Sequence, residues 1–331
     1  MKYKSYFNLP EKVIFCKHCV ISNQRPCSTQ EFKHKSNRDK AEYMLFDKDG
    51  ICSACKTNFL NNTIDWNTRH KELLKLLDKY RKNNGEFDCL VPGSGGKDSV
   101  FVSHLLKYKY DMNPLTCTWS PIMYTDYGYK NYKNWLKLGK FENIILKRKE
   151  DVMRYLTKMS ILNLLHPFQT FIIGQKNIAP KIAMKNNIKL IFYGEHEALY
   201  GNNPKEFLSP LVDSKYFTKE SSDNLVFAGM TINEILKNSF IRESDLEPFI
   251  PISKKDFESS GIEMHYFSYY QKWIPQEVYY YAFKNTGYRP RHFRSQGTYS
   301  KYSSVDDKVD DLHYYTVYIK FGYGRATKDA C

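Results

Sequence analysis

The 331-residue chain has no uninterrupted apolar run near the roughly 20 residues that a membrane-spanning helix needs. Its start, MKYKSYFNLPEK, lacks the apolar stretch of a secretory signal, so a cytoplasmic protein is expected. The first 63 residues are poor in aliphatic periodicity, which points to a small module held by something other than an apolar core. There is no internal repeat, which argues against a solenoid or propeller. Negative charge is in the minority: 36 Asp and Glu stand against 50 Lys and Arg, a net charge of +14. Clustered cations would suggest nucleic acid. Here the lysines are spread along the whole chain beside Asn, Tyr and Ile, as in a general compositional bias, so nucleic acid is not the expected partner. A positive cleft would equally suit a nucleotide or nucleotide sugar.

What is present begins with a 42% hydrophobic fraction, enough for one large core or for a main domain with a small appendage. Four of the eight cysteines form two CxxC pairs, C16-K-H-C19 and C52-S-A-C55. In a chain without a secretory signal, this pattern reads as metal binding before disulfides. Cys16, Cys19, Cys52 and Cys55 suit tetrahedral zinc in a structural site, with an iron–sulfur cluster or redox thiols as the alternatives. Cys89 and Cys117 fall on expected buried strands and read as packing residues. Nothing in the sequence assigns Cys27 or Cys331.

From Asp65, a plausible cap, Leu73, Leu76, Leu77 and Tyr80 fall at helical spacing, and Gly85 ends the run. Strands are then expected at 87–91, 115–119, 144–147 and 189–193, alternating with helices near 98–109, 128–138, 150–165 and 175–187. This order implies an α/β fold, a parallel sheet with helices on both faces. Residues 202–260 are polar and punctuated by proline, as in an insertion or lid. A further strand-like run, MHYFSYY, lies at 264–270, and an aromatic-rich remainder reads as helix, basic loop, helix. The expected division is 1–63, a four-cysteine zinc module; 64–201, an ATP-binding α/β domain; and 202–331, the insertion, the last strand and a helical substrate or partner region. Ligands of such sheets bind at the carboxyl ends of the strands.

The first of those ends carries the stretch CLVPGSGGKDSVFVSHLL. A Walker A loop fails here, because Lys97 is followed by Asp98 where Ser or Thr should ligate magnesium. The dinucleotide fingerprint fails too, since Asp98 takes the place of its third glycine. What remains is a strand, SGGKDS and a helix, with backbone N–H groups turned toward an anion at the helix N-terminus. The alternative is an ordinary tight turn between strand and helix. The hexamer resembles the signature of the PP-loop ATP pyrophosphatases. That resemblance implies cleavage of ATP between its α and β phosphates, with Pro92, Gly93, Ser94, Gly95, Gly96, Lys97, Asp98 and Ser99 forming the nucleotide cradle, and Lys97 and Asp98 supporting charge and Mg2+.

Further stretches narrow the resemblance. CKHCVISNQRP, DKDGICSAC, HPFQTFIIGQKNIAPKIA, FYGEHEALYG, QEVYYYAFKNTGY and GTYSKYSSVDDKVDDLHYY…IKFGYGRAT are similar to the N-acetyl sugar amidotransferases of bacterial surface-polysaccharide and flagellar-glycan biosynthesis. This implies adenylation of an acetamido oxygen on a nucleotide sugar or nonulosonic acid, then displacement of AMP by ammonia. The ammonia would come from a class I glutaminase subunit working with a cyclase-like channelling protein, and this chain shows no glutaminase elbow of its own. The resemblance also implies that Trp119 flanks the adenine, that Gly174, Gln175, Gly194 and Glu195 lie at the ligand-bearing edge, and that Glu195 joins Lys97 and Asp98 in the chemistry by binding magnesium or hydrogen-bonding the substrate; Trp119 could instead be a rim aromatic and Glu195 a surface residue. Arg291, Arg294, Tyr299 and Lys301 form a basic aromatic loop, suited to a phosphate or sugar carboxylate or simply solvated. The rival family is the tRNA-thiolating PP-loop enzymes, which share zinc-type cysteines and positive charge.

Overall fold

The structure is a computed structural model and describes residues 9–35, 42–200 and 202–330; Cys331 lies outside them. At its centre, five strands pair in parallel: β1 (Cys89–Pro92), β2 (Pro114–Trp119), β3 (Asn143–Leu146), β4 (Leu190–Tyr193) and β5 (Glu263–Tyr266), in the order β3-β2-β1-β4-β5. The first four start and stop within two residues of the expected positions. The fifth departs from the expectation. It ends at Tyr266, and Phe267–Tyr270 turns helical, because Phe267 and Tyr270, three residues apart, both pack edge-on against Phe192.

Side-chain alternation along the strands feeds two apolar layers. Leu90, Leu115, Cys117 and Ile191 face α5 (Glu150–Leu164) and α6 (Gln169–Lys185), while α4 (Asp126–Gly139) joins β2 to β3. Cys89, Val91, Leu190 and Phe192 face α2 (Trp66–Tyr80), α3 (Lys97–Tyr108) and α7 (Pro275–Asn285). Asp65 caps α2 by accepting from the N–H groups of Asn67 and Thr68, and Leu73 and Leu77 are then fully buried, each worth about 1.5–3 kcal/mol. α2 stops at Tyr80, before Gly85.

α6 starts six residues earlier than expected. It runs through Gly174, a residue that weakens a helix by roughly 1 kcal/mol relative to alanine. The glycine is required by space: a Cβ there would lie 1.9 Å from Trp119 Cζ2. Another unforeseen helix, α1 (Ser53–Thr63), follows the second cysteine pair, with Cys52 as its cap. The 202–260 segment, expected as an insertion or lid, contributes Phe217, Phe227, Ile235 and Phe249 to the layer over α5 and α6. After the last strand and α7 come a loop, α8 (Asp310–Phe321) and a short helix, α9 (Arg325–Ala330). Among the described residues no helix is long and apolar enough to cross a membrane.

Candidate functional site

The strand order reverses direction between β1 and β4, and that is where a doubly wound sheet opens a crevice. Two expected segments meet there. After β1, Gly93 and Gly95 leave no room for side chains: a Cβ on Gly93 would lie 2.2 Å from that of Ser99, and one on Gly95 2.5 Å from Tyr132 Cα. Gly95 also has φ +90°, a conformation glycine adopts freely. Gly96 caps α3, so the N–H groups of Lys97, Asp98 and Ser99 form its first turn. Lys97 is 8% exposed and its Nζ donates to Asp98 Oδ1 at 2.5 Å. After β4, Glu195 brings Oε1 to 3.9 Å from the same ammonium and accepts from Trp273 Nε1 at 3.1 Å. Burial works against the Lys97 charge, but Asp98 and Glu195 outweigh it and hold its pKa above that of a free lysine. Burial pushes the Asp98 carboxyl up, with Lys97 pulling the other way.

Sequence reasoning missed the third wall. The loop before α8 inserts Asp306 against the glycine turn, where its Oδ2 accepts from Ser94 Oγ and lies 3.0 Å from where a Gly96 Cβ would be. Asp307 anchors this loop, accepting from the N–H groups of Ile122 (2.5 Å) and Met123 (3.3 Å) beyond β2. Asp310 and Tyr314 follow on one face of α8. Burial, and then the crowding of acids, pushes Asp306 up to about 6 and Asp310 up to about 7. With Asp98 and Glu195 these carboxylates line a cavity of about 520 Å³, closed on the far side by Phe168, Phe171, Ile172 and Ile178. The only sequence signal was the acidic run VDDKVDD, which reads equally well as solvated surface.

The four paired cysteines also converge. Cys16 Sγ lies 4.0 Å from Cys55 Sγ and Cys19 Sγ 3.7 Å from Cys52 Sγ, and all four sulfurs lie within 4.8 Å of one another. A tetrahedron of thiolates about 2.3 Å from zinc has edges of about 3.8 Å, so the set fits that ion. The N–H groups of His18 (3.4 Å) and Cys52 (3.3 Å) donate to Cys16 Sγ and orient it. All four positions come from protein, which is the arrangement of a structural site.

No family model matches the chain. An uncharacterized protein of Methanocaldococcus jannaschii is 38% identical over 65 residues, which is 20% of this chain and 23% of that protein, so less than a quarter of the relative's length is spanned. Among solved structures, NAD+ synthetase from Burkholderia pseudomallei aligns over 68% of this chain and 91% of its own at 14% identity, with a TM-score of 0.29. NMN synthetase from Francisella tularensis aligns over 70% and 99% at 10% identity, with a TM-score of 0.30.

Other expected residues have different surroundings from those foreseen. Trp119 does line the cavity, but Arg148 covers its ring at 4.5 Å, Gly174 abuts its benzenoid edge and Phe249 meets it edge-on. It therefore forms part of the cavity wall, with Arg148 over one face of its ring. Gly174 is its spacer, while Pro92, Gln175 and Gly194 do line the cavity. Of the basic loop, Arg291 is 7% exposed and donates to the Ser304 carbonyl at 2.6 Å, which makes it a loop brace. Arg294, Tyr299 and Lys301 are exposed and line no part of the cavity. Cys89 and Cys117 are buried as expected.

Proposed function

We propose that the protein is an ATP-dependent, AMP-forming N-acetyl sugar amidotransferase of the PP-loop superfamily. It converts an acetamido group on a nucleotide sugar or nonulosonic acid into an acetamidino group, in the cytoplasm, for a bacterial surface glycan. The observation that carries this reading is the SGGKDS turn, which opens at the end of β1 onto a cavity that Glu195 and Asp306 also line.

An amide oxygen is too poor a leaving group to be exchanged for nitrogen directly. In the reaction proposed, that oxygen attacks the α-phosphorus of ATP, the bond to the β-phosphate oxygen breaks and pyrophosphate leaves. Ammonia then adds to the imidate carbon, AMP departs with the former amide oxygen, and the nitrogen's extra proton is lost. The N–H groups of the turn and the hydroxyls of Ser94 and Ser99 hold the departing pyrophosphate, and Lys97 balances its charge.

Asp98, Glu195, Asp306 and Asp310 place hard oxygen donors around the cavity, and Asp306 Oδ1 is buried with no hydrogen-bond partner; no three of them converge within 4.8 Å, so a divalent cation would need the nucleotide's phosphates as further ligands. Magnesium held there would neutralise charge on the phosphates. Zinc on the cysteine set would hold the N-terminal module together and take no part in the chemistry. A separate class I glutaminase with a cyclase-like channelling partner supplies the ammonia. Against the tRNA-thiolating alternative, no cysteine is among the described residues lining the cavity.

The test combines ATP, magnesium, ammonium chloride and a panel of acetamido nucleotide sugars, with pyrophosphate release and product mass as readouts. Lys97→Ala and Asp98→Ala should each slow release by about a hundredfold, the scale of losing a transition-state charge partner. Wild-type rates in both variants would remove the assignment.

A further inference from the structure

The glycine turn that would hold pyrophosphate already faces an oxyanion, the carboxylate of Asp306. Ser94 donates its hydroxyl hydrogen to Asp306 Oδ2. A hydroxyl has one hydrogen to give, so while this bond stands Ser94 has none for a phosphate oxygen. Oδ2 also lies 3.0 Å, and Cγ 3.7 Å, from the point where a Cβ on Gly96 would stand, so the carboxylate fills space that only a glycine leaves beside the turn. Lys97, the cation assigned to the pyrophosphate, is engaged as well: its charge and that of Asp306 stabilise each other. Asp306 thus makes at this turn the contacts that a phosphate oxygen would make.

The backbone that carries Asp306 is clamped to the segment after β2. The Thr125 N–H donates to the Asp306 carbonyl at 3.0 Å, and the Lys308 N–H to the Met123 carbonyl at 2.8 Å. Asp307 accepts from the N–H groups of Ile122 and Met123. Gly128, in the first turn of α4, permits the close pass, since a Cβ there would lie 2.6 Å from Asp306 Cα. With the backbone held, Asp306 can yield the turn by rotating its side chain alone. Its other oxygen, Oδ1, is buried with no hydrogen-bond partner, so the carboxylate is only half satisfied where it stands.

We propose that Asp306 is a specificity-determining residue that keeps metal-free phosphate compounds off the turn and admits nucleotide that carries a divalent cation. This rests on the reading that the turn holds the pyrophosphate of ATP, and it names the form of nucleotide that is the substrate. Metal-free phosphates bring more negative charge to a cavity that Asp98, Glu195 and Asp310 also line, and they must take the Ser94 hydroxyl from a carboxylate. Like charges set side by side in this way are strongly disfavoured. When the phosphates carry a cation, the rotated carboxylate meets an opposite charge, and the exchange at Ser94 leaves neither oxyanion unpaired.

Two measurements on the full-length, zinc-loaded protein test this. The first is titration calorimetry at pH 7.5 with sodium pyrophosphate, once with magnesium and once without any added divalent cation. Wild type should favour the magnesium form. Asp306→Asn keeps the size of the side chain and sheds its charge, so it should bind sodium pyrophosphate alone about tenfold or more tighter than wild type does, with no such gain for the magnesium form. Asp126→Asn removes the same charge from an exposed position in the first turn of α4 and should bind as wild type does. The second is a crystal structure of the wild type with magnesium pyrophosphate. There the Ser94 hydroxyl should have passed from Asp306 to a phosphate oxygen, while residues 305–307 keep their backbone contacts. The stated gain without turnover of any acetamido sugar would keep this role for Asp306 and remove the proposed function. Equal affinities of Asp306→Asn and wild type for sodium pyrophosphate, the same gain in Asp126→Asn, pyrophosphate bound with the Ser94 to Asp306 hydrogen bond intact, or no binding of either form would each overturn the proposal.

Discussion

Asp306 and Asp310 make the surroundings of the glycine turn sensitive to pH. Free aspartates ionise near pH 4, whereas burial, and then neighbouring acids, push these two up to about 6 and about 7. Between those limits the folded chain holds protons that the unfolded chain has released. Stability of the cation-free protein therefore falls as pH rises from about 4 through about 7. Divalent cations need the ionised carboxylates, so their affinity rises over the same window. The denaturation midpoint should drop from pH 5 to pH 7.5 by more in the wild type than in an Asp306→Asn, Asp310→Asn double variant. Magnesium should raise the wild-type midpoint at pH 7.5 and leave it unchanged at pH 5. Equal slopes in the two proteins would mean that neither carboxylate is held protonated. Gly174 carries a second prediction at this scale: Gly174→Ala forces the Trp119 indole aside and should cost about 1–3 kcal/mol of stability in chemical denaturation.

The cysteine module is the element least able to stand on its own packing. Among the described residues, its buried apolar cluster contains only Ile21 and Met44 apart from the cysteines. Structural zinc contributes about 10–16 kcal/mol to such small sites, so chelation should unfold the module locally. Four thiols should become reactive toward a disulfide reagent while the sheet's circular dichroism persists; thiols that stay unreactive after chelation would show that packing suffices. The same element shows what was legible in the sequence. Both cysteine pairs could be read because ligand chemistry leaves a local spacing, and β1 to β4 because each strand is a short apolar run bounded by a turn. The segment at 202–260 was not legible as core, since its two- to seven-residue elements are too short to show a period. Nor was Asp306, because an acid in a charged run is indistinguishable from surface until the fold sets it against Ser94. Arg291 was misread for the opposite reason: nothing local shows that an arginine in a basic loop will be buried against a carbonyl.

At the scale of the whole molecule, the cavity is assembled from segments distant in sequence: the turn at 93–99, the end of β2, α6, the end of β4 and the start of α8. The last is tied in by long-range contacts. Arg325 Nη1 pairs with Asp311 Oδ1 at 2.7 Å and donates to the Gln296 carbonyl at 3.0 Å, and the Tyr299 N–H donates to Asp329 Oδ2 at 3.2 Å. A nucleotide bound at the turn must therefore report on the C-terminal segment as well. At a hundredfold excess over Kd, a ligand stabilises the folded state by about 2.7 kcal/mol, and amides that open only when the site opens slow their exchange accordingly. With ATP analogue and magnesium, hydrogen exchange should slow in 303–330 together with 93–99, and Asp306→Asn should weaken the C-terminal part of that protection first. Protection confined to 93–99 and 194–196 would mean that the C-terminal segment only covers the cavity, because a wall that contributes ligands cannot stay indifferent to what they hold.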